Sequence, residues 1–329
     1  MIEASQTAPF ELISQNGIAA TKVETAARAA KAGDAAARAT LAAAFAHAGF
    51  AAPERIAEIY DAAALGWYDK PVAAPPLLYE VEAPHAIPSD LWTQFWAIMN
   101  DPDTGRDAKD ITVRSAALGG TYGPDFIARI ARVARTYPDV ARIEGAAYPP
   151  KITMEALAVC PSGSMGRQFH DLIVDNKFDL EVLDREALGL HLLPKPLDYL
   201  NARILQCHDL WHIIADYHTT ALHEVGISAF QMAQFGHSYS SMFLAVVATR
   251  AALSPPGPLG DGFPLLMDVI LSAWVHGRES GPLIAVPWED VWDQPVDTLR
   301  ARYSVKPYQS PYPADIVEQF LAMGAAQAA

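Results

Sequence analysis

The stretch LDYLNARILQCHDLWHIIADYHTTALHEVGISAFQMAQFG, residues 197–236, decides how the chain is read. It holds four of the ten histidines. On an α-helix each residue advances about 100° and 1.5 Å. His208, Asp209 and His212 therefore share an arc about 100° wide. Glu224 is twelve residues beyond His212; on one straight helix it would lie about 18 Å away, too far to join them. A break changes this. Thr219-Thr220 offers N-cap chemistry before a fresh apolar period at Leu222, Val225, Ala229 and Met232. A second helix starting there and running antiparallel to the first would bring Glu224 back to His208, Asp209 and His212. The expected result is a metal site between two adjacent helices.

Working outward, helical signals dominate. An alanine-rich segment runs from Ala19 to Gly49, and PERIAEIYDAAALGWY follows with Pro53 in its first turn. SDLWTQFWAIMN takes Ser89 as its N-cap, and GPDFIARIARVARTYP repeats apolar residues at Phe126, Ile127, Ile130 and Val133. PSGSMGR (Pro161–Arg167) turns into another helix, and two apolar helices follow the opening stretch, over Ser240–Leu253 and Phe263–His276. Alternating strand patterns are nearly absent, so the fold class is all-α, a multi-helix bundle. Residues 70–88, KPVAAPPLLYEVEAPHAIP, carry five prolines and divide the chain into a helical N-terminal extension with linker (1–80) and an all-α domain (81–329).

Half of the 329 residues are apolar, enough for a substantial core. The net charge of −14 disfavours nucleic acid as a partner. Cys160 and Cys207 alone make no disulfide framework, which fits a reducing compartment. No run approaches the roughly 18–20 apolar residues of a spanning helix, and MIEASQTAPFEL lacks the pattern of a secretory signal. Ala/Arg richness near residues 18–48 suggests a transit peptide only faintly, because Glu24 and Asp34 interrupt it.

His-x-x-x-His by itself is a weak signal, as compatible with a polar helix face as with a metal. Two imidazoles with the carboxylates of Asp209 and Glu224 suit Zn, Fe or Mn, whereas Mg and Ca prefer all-oxygen shells. Other candidates have plainer readings. His218 and His223 flank the turn as capping or supporting groups. Arg167, Arg203 and Arg250 are available for a substrate carboxylate or phosphate, or for structural ion pairs. Tyr199 and Trp211 read as core; Met242, Phe243 and Leu244 read as core or as the lining of an apolar tunnel.

The pattern HD-x-x-H, eleven residues, then E resembles the signature of the fourth coenzyme Q (ubiquinone) biosynthesis protein family. Thr219, Phe230, Ala233 and Gln234 agree with its continuation. So do DPDT (Asp101–Thr104), PSGSMGR, AWVHG (Ala273–Gly277), PLIAVPWE (Pro282–Glu289) and PVDTLR (Pro295–Arg300). The resemblance spans roughly residues 88–307. Asp216 and His223 depart from it, standing where the family usually has glycines; Cys207 is also unusual, and the first 80 residues have no counterpart.

The resemblance implies a helical protein of ubiquinone assembly that binds a prenylated quinone precursor and works with other ubiquinone-biosynthesis proteins. It further implies a carboxy-lyase that removes the C1 carboxylate, oxidatively or not, from a 4-hydroxy-3-methoxy-5-polyprenylbenzoate-type substrate. His208, Asp209, His212 and Glu224 would be both catalytic and metal-binding residues, with Zn the first candidate and Fe or Mn alternatives. Such a metal could hold the substrate carboxylate and stabilise charge on the ring. Membrane contact would be peripheral, on the inner face of a bacterial cell membrane or the matrix side of the mitochondrial inner membrane; a homodimer is compatible. The ring is expected at the histidines and the tail between the two apolar helices after them. Two rivals belong to other classes. One is a non-catalytic prenyl-lipid scaffold with a structural metal. The other is an HD-type phosphohydrolase, drawing on His170 or His191 and on Asp261 or Asp268.

Overall fold

Alanine builds the first layer of helices, in the N-terminal part of the chain. The structure, a computed structural model, describes residues 4–80, 82–101, 108–180, 184–253 and 261–328. Pro102–Thr104 of the DPDT segment thus lie outside the described residues. Helices α1 (Ala4–Asn16), α2 (Ala20–Lys31), α3 (Ala35–Phe50) and α4 (Ile56–Tyr68) precede the proline-rich stretch. The alanine-rich segment is two helices instead of one. Gly33 takes φ +98°, a left-handed value that ends α2, and the Asp34 carboxylate accepts from Ala37 N–H to cap α3.

After the irregular residues 69–80 and 82–88 come α5 (Ser89–Asn100), α6 (Ala108–Gly119), α7 (Pro124–Ala134), α8 (Met154–Ala158) and α9 (Met165–Asn176). The second half contains α10 (Leu197–Ala215), α11 (Ala221–Phe235), α12 (Ser238–Leu253), α13 (Gly262–Glu279), α14 (Val296–Tyr303) and α15 (Ile316–Ala328). Ser89 is the first helical residue of α5, not its N-cap, because the Pro88 carbonyl already accepts from Leu91 and Trp92. Ser164 does cap α9, accepting from Arg167 N–H. Among the described residues the only β pairing is one isolated bridge between Ser164 and Pro295. The chain is all-helical.

One apolar core runs from Phe10 to Tyr308. Helix α3 lies along α12, α4 against α13, and α11 against α13. Two half-buried polar contacts lock α4 to α13: Trp67 Nε1 donates to Asp268 at 2.7 Å and Trp274 Nε1 to Asp61 at 2.7 Å. The N-terminal helices therefore share a core with the helices behind the opening stretch.

That stretch does break. Asp216 adopts φ +64° and ends α10, and the turn through Thr220 starts α11. Thr220 has the extended backbone of an N-cap, but its hydroxyl donates to the Ala314 carbonyl instead of capping. The Glu318 carboxylate of α15 takes that place, accepting from Ala221 N–H at 2.8 Å. His212 meets Glu224 while His208, one turn earlier, meets Gln231, seven residues later. The two helices consequently run antiparallel.

Candidate metal centre

Three of the four expected ligands converge. His208 Nε2 lies 3.2 Å from Glu224 Oε2, His212 Nε2 3.4 Å from Glu224 Oε1, and the two Nε2 atoms 3.3 Å apart. Ligand atoms around a tetrahedral zinc with bonds of about 2.0–2.1 Å stand about 3.4 Å from one another. The spacing and the N, N, O donor set therefore fit a divalent transition metal. Among the described residues this is the only group of three or more His, Cys, Asp or Glu side chains so placed. Asp209 is not in it. On α10 His212 lies about 40° around the helix from His208, but Asp209 about 100°, so Asp209 lines the adjoining cavity instead.

Both imidazoles are oriented from behind. His212, almost fully buried, donates from Nδ1–H to the Tyr217 carbonyl at 3.2 Å, leaving the Nε2 lone pair towards the site. His208 Nδ1 meets the Gln231 amide at 2.7 Å. Turning that amide over exchanges its nitrogen for its oxygen, so Gln231 can support either the ring protonated at Nε2 or the ring whose Nε2 is bare. Burial opposes charge on His208, but the hydrogen bond and field of Glu224, with Asp209 behind them, raise it to about 9. Burial would raise Glu224, yet the hydrogen bond and charge of His208, with the His212 ring close by, hold its carboxyl far below the usual range. Metal-free, the pair is an imidazolium beside a carboxylate. Metal binding would release the proton from His208.

His208 and Glu224 remain partly exposed, and what they face is a cavity of about 290 Å³. Its wall takes Asp179, Leu180 and Arg185 from the segment after α9, Ile204 to Gln206 from α10, Ser228 and Gln231 from α11, then His237, Tyr239 and Phe243. Of the apolar residues considered for a tail, Phe243 lines this space, whereas Met242 and Leu244 are core. No α13 residue lines it, so the groove expected between the two apolar helices is not this cavity.

The three arginines considered for an anion are engaged elsewhere. Arg203 makes a bidentate pair with Glu289, Arg167 pairs with Asp171, and Arg250 donates to the Ile98 and Asp101 carbonyls. Arg185 is the arginine in the wall. No sequence signal marked it, since it lies in an aperiodic turn. Gln231 was readable in principle, standing two turns after Glu224 on the same face. His218 and His223 serve the turn, with the His218 backbone N–H donating to His223 Nδ1 at 2.9 Å. The residues a phosphohydrolase would need do not join the group: His170 sits against Asp171, His191 against Glu186, Asp261 caps α13, and Asp268 accepts from Trp67 and Tyr312.

Comparison with known proteins gives matches in one direction. The family model described as "Coenzyme Q (ubiquinone) biosynthesis protein Coq4" matches residues 141–309, beginning later than the expected residue 88 and including all three converging ligands. A protein of Drosophila pseudoobscura pseudoobscura named "Ubiquinone biosynthesis protein COQ4 homolog, mitochondrial" is 27% identical over 202 residues, covering 58% of this chain and 69% of its own. Its namesake in Drosophila yakuba is 25% identical over 201 residues, with the same coverage. A crystal structure from Nostoc punctiforme PCC 73102, provisionally described as a ubiquinone biosynthesis protein, aligns with 65% of this chain and 95% of its own at TM-score 0.49 and 21% identity.

Proposed function

This chain belongs to the Coenzyme Q (ubiquinone) biosynthesis protein Coq4 family, and we propose that within ubiquinone biosynthesis it is a metal-dependent carboxy-lyase acting at C1 of a prenylated 4-hydroxybenzoate precursor. The observation that carries this reading is the convergence of His208, His212 and Glu224, two of which, His208 and Glu224, open onto a cavity with both polar and apolar sides. A zinc, iron or manganese ion held by these three would supply Lewis-acid polarisation of a bound oxygen. Tyr217 and Gln231 keep the two imidazoles aimed, and Ile204, Leu205 and Phe243 exclude water from the ring. In the simple form of the reaction the C1–carboxylate bond breaks, carbon dioxide leaves and a proton takes its place. In the oxidative form the C1–carboxylate bond breaks, carbon dioxide leaves and a hydroxyl group takes its place, with molecular oxygen as the two-electron oxidant.

Ligand sites usually run to about 300–1,000 Å³, so a cavity of about 290 Å³ holds the aromatic head and the start of the tail. The rest of the tail must leave. Val174, Phe178, Leu188 and Leu192 are exposed on either side of the segment that contributes Leu180 and Arg185 to the wall. In this reading they would be the apolar rim by which the protein sits peripherally on a membrane, the mitochondrial inner membrane or a bacterial cell membrane; no helix among the described residues is long and apolar enough to cross one.

The same rim and cavity suit a non-catalytic prenyl-lipid scaffold serving other biosynthetic proteins. An assay in a strain lacking its own homologue separates the two. Wild type should restore ubiquinone, and Glu224→Ala should fail and accumulate a precursor whose mass retains the carboxylate. Full restoration by Glu224→Ala would leave the scaffold reading.

A further inference from the structure

Ser228 and His237 are polar side chains of the cavity wall, and each is only 8% exposed. Ser228 Oγ makes no hydrogen bond to any described residue, not even back to its own helix. His237 Nδ1 lies 2.9 Å from Ser240 Oγ, while its Nε2 meets no described protein group and is not sealed by packing. By contrast, His208 is held by Glu224 and Gln231, and the Gln206 amide donates to the Pro150 carbonyl. An uncommitted polar group in so buried a place costs free energy until a ligand or water meets it.

The two stand at different distances from the metal ligands. Ser228 is one helical turn after Glu224. His237 comes thirteen residues after Glu224, past the end of a helix that runs about 16 Å from Glu224 to Phe235. Burial first, and then the field of His208, push the His237 pKa down to about 3, so the ring is neutral at neutral pH. A benzoate whose carboxylate faces the metal ligands presents its para substituent away from them. In a 4-hydroxybenzoate that substituent is a hydroxyl. The Ser240 hydroxyl either accepts from Nδ1–H or donates to a bare Nδ1, which makes Nε2 an acceptor or a donor in turn. A phenolic hydroxyl suits both states, because it donates and accepts; a ring C–H suits neither.

We propose that His237 Nε2 opens into the cavity and exchanges a hydrogen bond with the phenolic hydroxyl of the ligand, so that His237 distinguishes a 4-hydroxybenzoate from its deoxy counterpart. The inference rests on the reading that the cavity takes a hydroxybenzoate-type ligand with its carboxylate at His208, His212 and Glu224. It adds the contact at the opposite end of the ring. Ser240 is the positioning residue, holding Nδ1 and with it the direction of Nε2.

The test uses the full chain with zinc present and two probes, 4-hydroxy-3-prenylbenzoic acid and 3-prenylbenzoic acid, which differ only in the hydroxyl. Calorimetric titration of wild type should give at least about tenfold tighter binding of the hydroxy acid, since a buried polar group left unpaired penalises the analogue without it. His237→Phe keeps a ring without its nitrogens. It should lose that preference while keeping the affinity for the deoxy acid, which also reports that the cavity is intact. If His237→Phe binds neither probe, nitrogen NMR of wild type decides. A larger shift of the His237 Nε2 resonance with the hydroxy acid than with the deoxy acid supports the assignment, and a shift no larger overturns it. An undiminished preference in His237→Phe, or wild type that binds both acids without preferring the hydroxy acid, overturns it while leaving the cavity reading intact. Wild type that binds neither probe would overturn both.

Discussion

Arg55 donates from Nη1 to His47 Nε2 at 3.3 Å, and His47 in turn donates from Nδ1–H to the Ser14 carbonyl at 3.0 Å. Because a guanidinium only donates, this buried ring must be neutral. Burial first, and then the neighbouring Arg55, lower its pKa to about 4. His208 goes the opposite way, to about 9, because a carboxylate is its nearest partner. Two identical side chains thus differ in charge at neutral pH through what lies within about 3 Å of each nitrogen. The folded pKa of His47 is depressed, so its share of stability is present above the unfolded value near 6.5 and is lost as pH falls towards 4. Between pH 7 and pH 5 that loss is about 2 kcal/mol. Urea unfolding at the two pH values should show a drop larger by about this amount in wild type than in His47→Gln. Equal drops would mean that the ring is not held neutral.

At the scale of elements, the site depends on where α11 begins and ends. Gly236 ends it at φ +63°, and a Cβ there would run into the Tyr137 ring. The next residue is His237 in the cavity wall. Left-handed backbone costs an L-residue about 1–2 kcal/mol, and overpacking adds about 1–3. Gly236→Ala should therefore destabilise by about 2–5 kcal/mol. Gly33→Ala, at φ +98° with open space around it, should cost only the backbone part. Similar losses in thermal unfolding of the two variants would contradict the steric argument. The break between α10 and α11 was legible because Thr219-Thr220 separates two apolar periods. Its capping was not, since the capping carboxylate belongs to Glu318, ninety-seven residues away in the chain. Likewise the pair of histidines one turn apart pointed to their shared face, but including Asp209 treated an arc of about 100° as one ligand direction.

For the whole molecule, composition and period were enough to read an all-helical chain, because each helix writes its apolar face locally. Which helix covers which is a long-range matter. The packing of α3 on α12, and the bond from Trp67 to Asp268, have no local signature, so the first 80 residues read as an extension although they share the core. Arg185 was illegible for the same reason: its place in the wall is set by residues 148–150, not by its neighbours in sequence. What this assembled core finally positions is one candidate metal centre, and metal content tests it most directly. Wild type, Asp209→Asn, His208→Ala, His212→Ala and Glu224→Ala should each be loaded with zinc, desalted and subjected to elemental analysis. The expected result is about one ion per chain in wild type and Asp209→Asn, as three converging ligands would hold, and only traces in the other three. Metal retained equally by the three alanine variants, or by none of the five proteins, would contradict the assignment.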